Sequence, residues 1–300
     1  MLLSDWALIA YALYVPLLIT IYLLELMAIF RHKKTSFNSS FYNIFIVLAA
    51  VNVTACVVAT FVFRLPLYPI VNRFYASLTT ESDWLTAAYV GCYYLNCLSE
   101  FLGVFLAFNR FTALYFPARH HHFWRWAFIV GLGICLIVSI APVAYLFHYS
   151  TMFFEFNRPF IGFNVYYLVP DANERLIVCN SLSSLLYGAC LIRLCLFSIR
   201  RNQIAERNLF LVGLLTMIFS LPYMTAMLIL FMRFSHAQAD VSSELIVFFA
   251  FQLPWLTDLK YLTPAPMLLL TNSSIRRVIG SMVWRNRGNN AQIVVIGSSQ

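Results

Sequence analysis

Seven long apolar segments, separated by short polar connections, limit what this chain can fold into. They lie at residues 6–30, 40–63, 83–115, 123–147, 173–198, 208–232 and 243–272. A helix needs about 20 apolar residues to cross a bilayer, and each segment reaches that length. Because 61% of the 300 residues are hydrophobic and only 11% are charged, a polar exterior cannot cover the chain in water. The sequence therefore predicts an all-α membrane protein, with one seven-transmembrane-helix bundle over residues 1–272.

The Lys and Arg residues are distributed unequally between the two sides of these segments. Of the 20, 14 fall in the connections after segments one, three and five or in the C-terminal tail, five fall on the other side, and Lys260 lies inside segment seven. Because cytosolic loops are enriched in Lys and Arg, this bias predicts an outer N-terminus and a cytosolic C-terminus. The sequons at Asn38 and Asn272 would then face the cytosol and stay unglycosylated. Topology also explains the net charge of +8, so we expect no nucleic-acid partner.

Residues 273–285 have the pattern of a surface helix. Apolar residues at positions 275, 278, 279, 282 and 283 recur at helical spacing, and Ser273 or Ser274 is a suitable N-cap. Arg276, Arg277 and Arg285 are placed to meet anionic head groups. We predict a short amphipathic helix on the cytosolic leaflet, with membrane lipids as its partners, and a disordered tail at residues 286–300.

The sixth and seventh segments combine prolines with charged residues. Pro222 removes a backbone hydrogen bond and predicts a kink that can act as a hinge. The seventh segment contains Asp258, Lys260, Pro264 and Pro266. Charged groups inside a bilayer face the bundle interior or a wet cavity, so this segment is predicted to line the functional centre.

Each charge in the seventh segment needs a partner on another segment, because residues two apart do not face each other on a helix. For Lys260 the intramembrane acids are Glu100 in segment three and Glu25 in segment one. Such a pair suits a structural link as well as a switch, and the sequence leaves both open.

Catalytic and cofactor-binding signatures are missing from the sequence, which has no Gly-x-Ser-x-Gly, no His-Glu-x-x-His and no nucleotide-binding loop. The run His120–His122 has no Cys or acid near it in sequence, so we interpret it as a solvated loop rather than a metal site. We expect no enzymatic activity, no cofactor and no metal.

Several short motifs occur in a fixed order along the chain. They are Phe37-Asn38-Ser39-Ser40-Phe41, Phe63-Arg64-Leu65-Pro66, Asn109-Arg110-Phe111-Thr112-Ala113 with Pro117 and Trp124, Asp258-Leu259 with Pro264, and Ser274-Ile275-Arg276. With the seven segments, this order resembles the G-protein-coupled receptors, and more closely the nematode serpentine chemoreceptors of the gamma class, with the v class next. Asn109 departs from the rhodopsin-like pattern, which usually has an acid before the Arg.

The resemblance implies a small-molecule ligand, a heterotrimeric G-protein partner and the plasma membrane of a sensory neuron. The residues it assigns to G-protein coupling are Arg110, Asn109, Arg200, Arg201 and Arg207. The prolines and intramembrane charges described above supply the candidate hinge or switch residues, which are Pro222, Glu100, Asp258, Lys260, Pro264 and Pro266. The candidate ligand pocket is Tyr89, Cys92, Tyr93, Asn96, Tyr223 and Trp255, although ordinary helix packing is the better explanation for any one of these taken alone.

Two other functions remain as alternatives. A ligand-gated channel of the insect chemoreceptor type also has seven spans, but its N-terminus is inside, against the charge bias. A small transporter predicts internal repeats, and none is visible. The sequence leaves open whether the chain associates with itself or with other chains.

Overall fold

The computed structural model describes residues 3–33, 37, 39–65, 71, 74, 83–141, 143–144, 152–155, 163–166, 204–235, 252 and 255–284. The predicted fifth segment, at 173–198, and the predicted disordered tail, at 286–300, lie outside these residues.

Helices make up nearly all of this part of the chain. They are α1 (Leu3–Arg31), α2 (Ser40–Ala59), α3 (Asp83–Tyr115), α4 (Pro117–Ile140), α5 (Ile204–Ser235), α6 (Pro264–Thr271) and α7 (Ser273–Trp284). Residues 255–262 are also helical and join α6 through a turn at Thr263, and we call residues 255–271 the seventh-segment helix. α2 continues into a π-helical turn, Thr60–Arg64.

Among the described residues, a short antiparallel hairpin departs from the all-α prediction. Strand β1 (Met152–Glu155) pairs with β2 (Phe163–Tyr166), and Met152 lies opposite Tyr166. The hairpin falls between the predicted fourth and fifth segments, in a connection to which the sequence analysis assigned no secondary structure.

Four of the described helices are long and apolar enough to cross a membrane: Ile9–Arg31, Ser40–Val62, Trp84–Tyr115 and Pro117–Ile140. Large apolar side chains such as Leu13, Trp126 and Ile137 are exposed on them. An exterior of this kind suits lipid, and helices satisfy their own backbone hydrogen bonds there.

The bundle is organised around α3, which contacts α2, α4 and α5. α1 packs on α2, α6 and α7, and α5 packs on α6. Aromatic side chains from three of these elements, including Tyr22, Phe45 and Tyr261, are fully or almost fully buried between them. The Asn109 amide donates to the Ser40 hydroxyl at 2.7 Å, so α3 ends where α2 begins. We call this the Arg110 end of the bundle.

Two local expectations were wrong. α4 begins at Pro117, so His120–His122 lie in its first turns and not in a loop. The proline explains the early start, because its fixed φ and missing N–H suit the first helical position. The predicted cap at Ser273 or Ser274 is replaced by Asn272, whose Oδ1 accepts the N–H groups of Ser274 at 3.0 Å and Ile275 at 3.2 Å.

Candidate functional site

A buried ion pair joins Arg64, in the π-helical turn after α2, to Asp258 in the seventh-segment helix. Both side chains are almost fully buried. Arg64 Nη1 also donates to Thr60 Oγ1 at 2.8 Å, and the Tyr14 hydroxyl donates to Asp258 Oδ2 at 2.5 Å. The pair therefore links α1, α2 and the seventh-segment helix.

Arg64 was missed as a partner in the sequence analysis, because it was counted among the connection residues outside the second segment. The helical turn Thr60–Arg64 instead carries it back into the bundle. The signal that could have found it was the unpaired Asp258, since an acid inside the bundle needs a cation nearby.

A second buried ion pair joins Lys260 to Glu100 of α3. Lys260 Nζ also donates to Asn96 Oδ1 at 2.8 Å, and it lies 4.6 Å from the centroid of the Tyr223 ring. Asn96 Nδ2 in turn donates to the Tyr223 hydroxyl at 3.1 Å. This cluster connects α3, α5 and the seventh-segment helix, so a movement of α5 must change the surroundings of the Lys260 ammonium.

Of the two acids named for Lys260, the structure pairs it with Glu100. Glu25, the other, is fully buried in α1, and neither of its carboxyl oxygens has a hydrogen-bond partner among the described residues.

A third polar cluster surrounds the prolines of the seventh-segment helix. Pro264 and Pro266 have no backbone N–H, so the helix loses two of its usual internal hydrogen bonds. Each proline leaves the carbonyl four residues before it without its usual partner, and the Tyr261 carbonyl lies between these two. The Tyr261 carbonyl accepts hydrogen bonds from the Tyr22 hydroxyl at 2.9 Å and from Asn52 Nδ2 at 3.2 Å. Side chains of α1 and α2 thus hold the proline-containing helix in place.

The Arg110 side chain, near the end of α3, is buried in the protein and is only 1% exposed. Its guanidinium carbon lies 4.5 Å from the centroid of the Phe41 ring of α2, which is cation–π geometry. Its Nε and Nη2 both donate to Asn109 Oδ1, the Nε bond measuring 3.2 Å. An aromatic ring and an amide therefore hold the arginine away from the surface.

A histidine network lies beside Arg110. His120 Nδ1 is 3.2 Å from Thr112 Oγ1, and its Nε2 is 3.3 Å from Ser40 Oγ. Trp124 Nε1 donates to the same Thr112 hydroxyl at 2.8 Å. These contacts tie the start of α4 to α2 and α3, which explains why this part of the run is helical and partly buried.

The six candidate pocket residues fall into different environments. Asn96 and Tyr223 lie in the Lys260 cluster, whereas Tyr89 and Tyr93 lie one turn apart with their rings tilted at 44° and their centroids 5.0 Å apart. Cys92 is buried. Trp255 is 40% exposed and lines a crevice with residues of α1.

The remaining candidates lie on α5 or outside the described residues. α5 runs without interruption through Pro222. Arg207 lies near the start of α5, and Arg200 and Arg201 fall outside the described part of the chain. Within that part, no three His, Cys, Asp or Glu side chains are grouped so as to hold a metal ion.

Long apolar helices with ion pairs buried between them define a polytopic helical membrane protein. Residues 8–279 match the family described as Srg family chemoreceptor, and the chain belongs to this family. It is also similar to the Caenorhabditis elegans protein named Serpentine receptor class V-1, with 26% identity over 174 residues. That match covers 54% of this chain and 55% of the relative, so the chain spans about half the length of the curated relative.

The matched family is one of chemoreceptors, and the relative is named as a serpentine receptor. The predicted resemblance to serpentine chemoreceptors, with the gamma class first and the v class next, is confirmed.

Proposed function

We propose that this chain is a seven-helix chemosensory receptor that binds a small environmental molecule and signals through a heterotrimeric G protein. Its N-terminus lies outside and its C-terminus in the cytosol, in the plasma membrane of a sensory neuron. Family membership supports the receptor class. The excess of Lys and Arg on one side of the apolar segments supports the orientation.

The burial of Arg110 is the observation that carries the coupling step. In the described conformation its guanidinium is held by Phe41 and Asn109 and is not available to a partner. A second conformation in which Arg110 is released would present a basic group at the Arg110 end. A ligand that binds this second conformation more tightly shifts the population toward it.

Ligand binding would act through the Lys260 cluster. A molecule seated among Tyr89, Cys92, Tyr93 and Asn96 competes with the hydrogen bond from Asn96 to Tyr223. Loss of that bond removes one of the contacts that hold α5 against α3. Pro222 lies next to Tyr223 and gives α5 a point at which it can bend.

Movement of α5 would then open the Arg110 end, because α5 packs on α3 and α6. In this proposal Arg200, Arg201 and Arg207 add basic groups to the opened surface, and the G-protein α subunit binds there. The match to a chemoreceptor family gives no support to the transporter or channel alternatives.

The test replaces Arg110 by alanine and Arg119 by alanine in parallel. Arg119 is an exposed arginine at the start of α4, so it controls for the loss of one positive charge at the same end. Nucleotide exchange on co-expressed G-protein α subunits is measured at matched surface expression. We expect Arg110→Ala to abolish exchange and Arg119→Ala to retain it. Normal exchange with Arg110→Ala would refute the assigned role of this arginine.

A further inference from the structure

An open crevice of about 580 Å³ lies between α1, α5 and the seventh-segment helix. Its wall includes Tyr11, Tyr14 and Leu17 of α1, Phe219 of α5, and Trp255 and Asp258 of the seventh-segment helix. Its volume falls in the range of roughly 300–1,000 Å³ that is usual for small-molecule sites.

The crevice opens towards the lipid. Leu17, at its edge, is 61% exposed, and it lies in the membrane-capable stretch Ile9–Arg31. Side chains exposed on such a helix contact acyl chains, so a molecule dissolved in the bilayer reaches the crevice without passing through water. The lining is almost entirely apolar, which suits a hydrocarbon body.

Polar atoms are concentrated where Asp258 meets Tyr14. Asp258 Oδ1 accepts hydrogen bonds from Arg64 and from the Cys56 thiol, whereas Oδ2 accepts one from the Tyr14 hydroxyl at 2.5 Å. A carboxylate has about four lone-pair positions, so a further donor fits. The Tyr14 oxygen can itself accept a bond.

Charge decides the type of head group. Because Arg64 already neutralises Asp258, the crevice offers no net negative charge to attract an ammonium group. A hydroxyl satisfies both polar atoms when it replaces the direct bond between them, since it accepts the Tyr14 proton and donates its own proton to the carboxylate.

We propose that this crevice binds a neutral amphiphile with a single hydroxyl group and a long apolar body, delivered through the bilayer. The hydroxyl lies between Asp258 and Tyr14, and the apolar body extends past Leu17 to the lipid. Of the six residues of the candidate ligand pocket, this crevice is lined by Trp255 alone, and its existence does not depend on G-protein coupling.

The test uses the full-length protein in phosphatidylcholine vesicles and a long-chain primary alcohol that carries a diazirine. Illumination should attach the probe to peptides from α1 and from the seventh-segment helix. Unlabelled alcohol should compete, and an alkane of the same length should not. Equal competition by the alkane would overturn the proposal, because it would show a general lipid contact.

Two matched tryptophan variants locate the site. Leu17→Trp fills the crevice, whereas Leu13→Trp adds the same ring one turn away, at a position that is 70% exposed and does not line the crevice. We expect labelling to fall by about tenfold or more in the first and to remain in the second. Equal labelling of both would overturn the proposal. If Leu17→Trp does not fold, Ala10→Leu narrows the same crevice from the same helix.

Tyr14→Phe tests the head-group contact. It removes one hydrogen-bonding oxygen and keeps the ring, so the alcohol should compete roughly two- to tenfold less well. In the presence of the alkane, labelling of the Tyr14→Phe variant should equal labelling of the parent protein. An unaltered preference for the alcohol over the alkane would contradict the assigned position of the hydroxyl.

Discussion

Arg110 is restrained by a neutral amide and an aromatic ring, with no carboxylate next to it in the chain. A cation–π contact that is shielded from water contributes about 1–2 kcal/mol. The bond to Asn109 adds a charge-assisted contribution of similar size.

Replacement of Phe41 by leucine should weaken this restraint. Without the ring, the buried guanidinium loses about 1 kcal/mol of stabilisation, and the released population rises roughly fivefold. The prediction is a corresponding rise in ligand-independent nucleotide exchange, measured at equal surface expression. Phe45→Leu is the matched control, because Phe45 is also buried on α2 but is not the ring beneath Arg110. An equal rise in both variants would point to general loosening of α2.

Asn109→Asp should act in the opposite direction. The uncharged amide of Asn109 accepts hydrogen bonds from Arg110, whereas a carboxylate at this position would form an ion pair with it. The ion pair is stronger, so the restrained conformation gains stability. We expect ligand-independent exchange to fall below that of the parent protein. A rise in exchange would show that the Asn109 contact does not hold Arg110 back.

Individual contacts could be predicted from the sequence only where the choice of partners was small. Lys260 had two intramembrane acids available, and one of them, Glu100, is its partner. Asp258 had no partner in the sequence interpretation, because Arg64 lies beyond the apolar stretch of segment two. A π-helical turn lengthens α2 and brings that arginine inside, and no sequence pattern signalled the turn.

The seventh-segment helix is attached to the bundle by two ion pairs on alternate residues. Loss of one partner leaves a charge buried without compensation, at a cost of about 3–5 kcal/mol, whereas removal of both costs far less. Lys260→Met and Glu100→Gln should therefore each lower the melting temperature in detergent strongly. The double variant should recover most of the loss, since both residues belong to one interaction. Additive losses in the double variant would contradict a direct pair.

The junction of α6 and α7 depends on Arg276. Its Nη1 donates to the carbonyl of Leu269 at 2.9 Å and also to that of Leu270, which satisfies acceptors at the end of α6. Arg276 is exposed and also caps the end of α6, and its predicted contact with lipid head groups stays a prediction.

Alanine replacements at Arg276 and Arg277 should separate capping of α6 from contact with lipid head groups. We expect Arg276→Ala to lower the melting temperature, at a cost of about 1 kcal/mol. Arg277→Ala, at the neighbouring exposed position, should leave the melting temperature unchanged and weaken attachment of α7 to vesicles that contain anionic lipid. Equal destabilisation by both changes would argue against the capping role.

The presence of a helix was easier to predict than the residues at which it begins and ends. Long apolar runs require helices in a membrane, whatever the packing, and α1 to α4 occupy such runs. The start of α4 was placed too late, because the stretch 117–122, which ends in one arginine and three histidines, was taken as a loop. Contacts from His120 to Ser40 and Thr112 stabilise that turn, and they exist only when the helices are assembled.

The orientation of the whole molecule rests on the distribution of Lys and Arg. Arg64 lies inside the bundle and no longer counts for the outer side, and Arg110 is equally buried at the cytosolic end. Removal of one residue from each side keeps the excess of Lys and Arg on the cytosolic side, so the outer N-terminus and cytosolic C-terminus stay the predicted orientation.

Antibody access to tags at the two ends tests this orientation in cells. We expect an N-terminal tag to be detected on intact cells and a C-terminal tag to be detected after permeabilisation only. An acceptor sequon added before α1 should be glycosylated, whereas the natural sequons at Asn38 and Asn272 should not be, because they would lie in the cytosol. A hidden N-terminus would exclude G-protein binding at the Arg110 end, since that end would then face outward. Such a result would make a channel opened by ligand the better hypothesis, and recordings of ligand-evoked current would be needed to examine it.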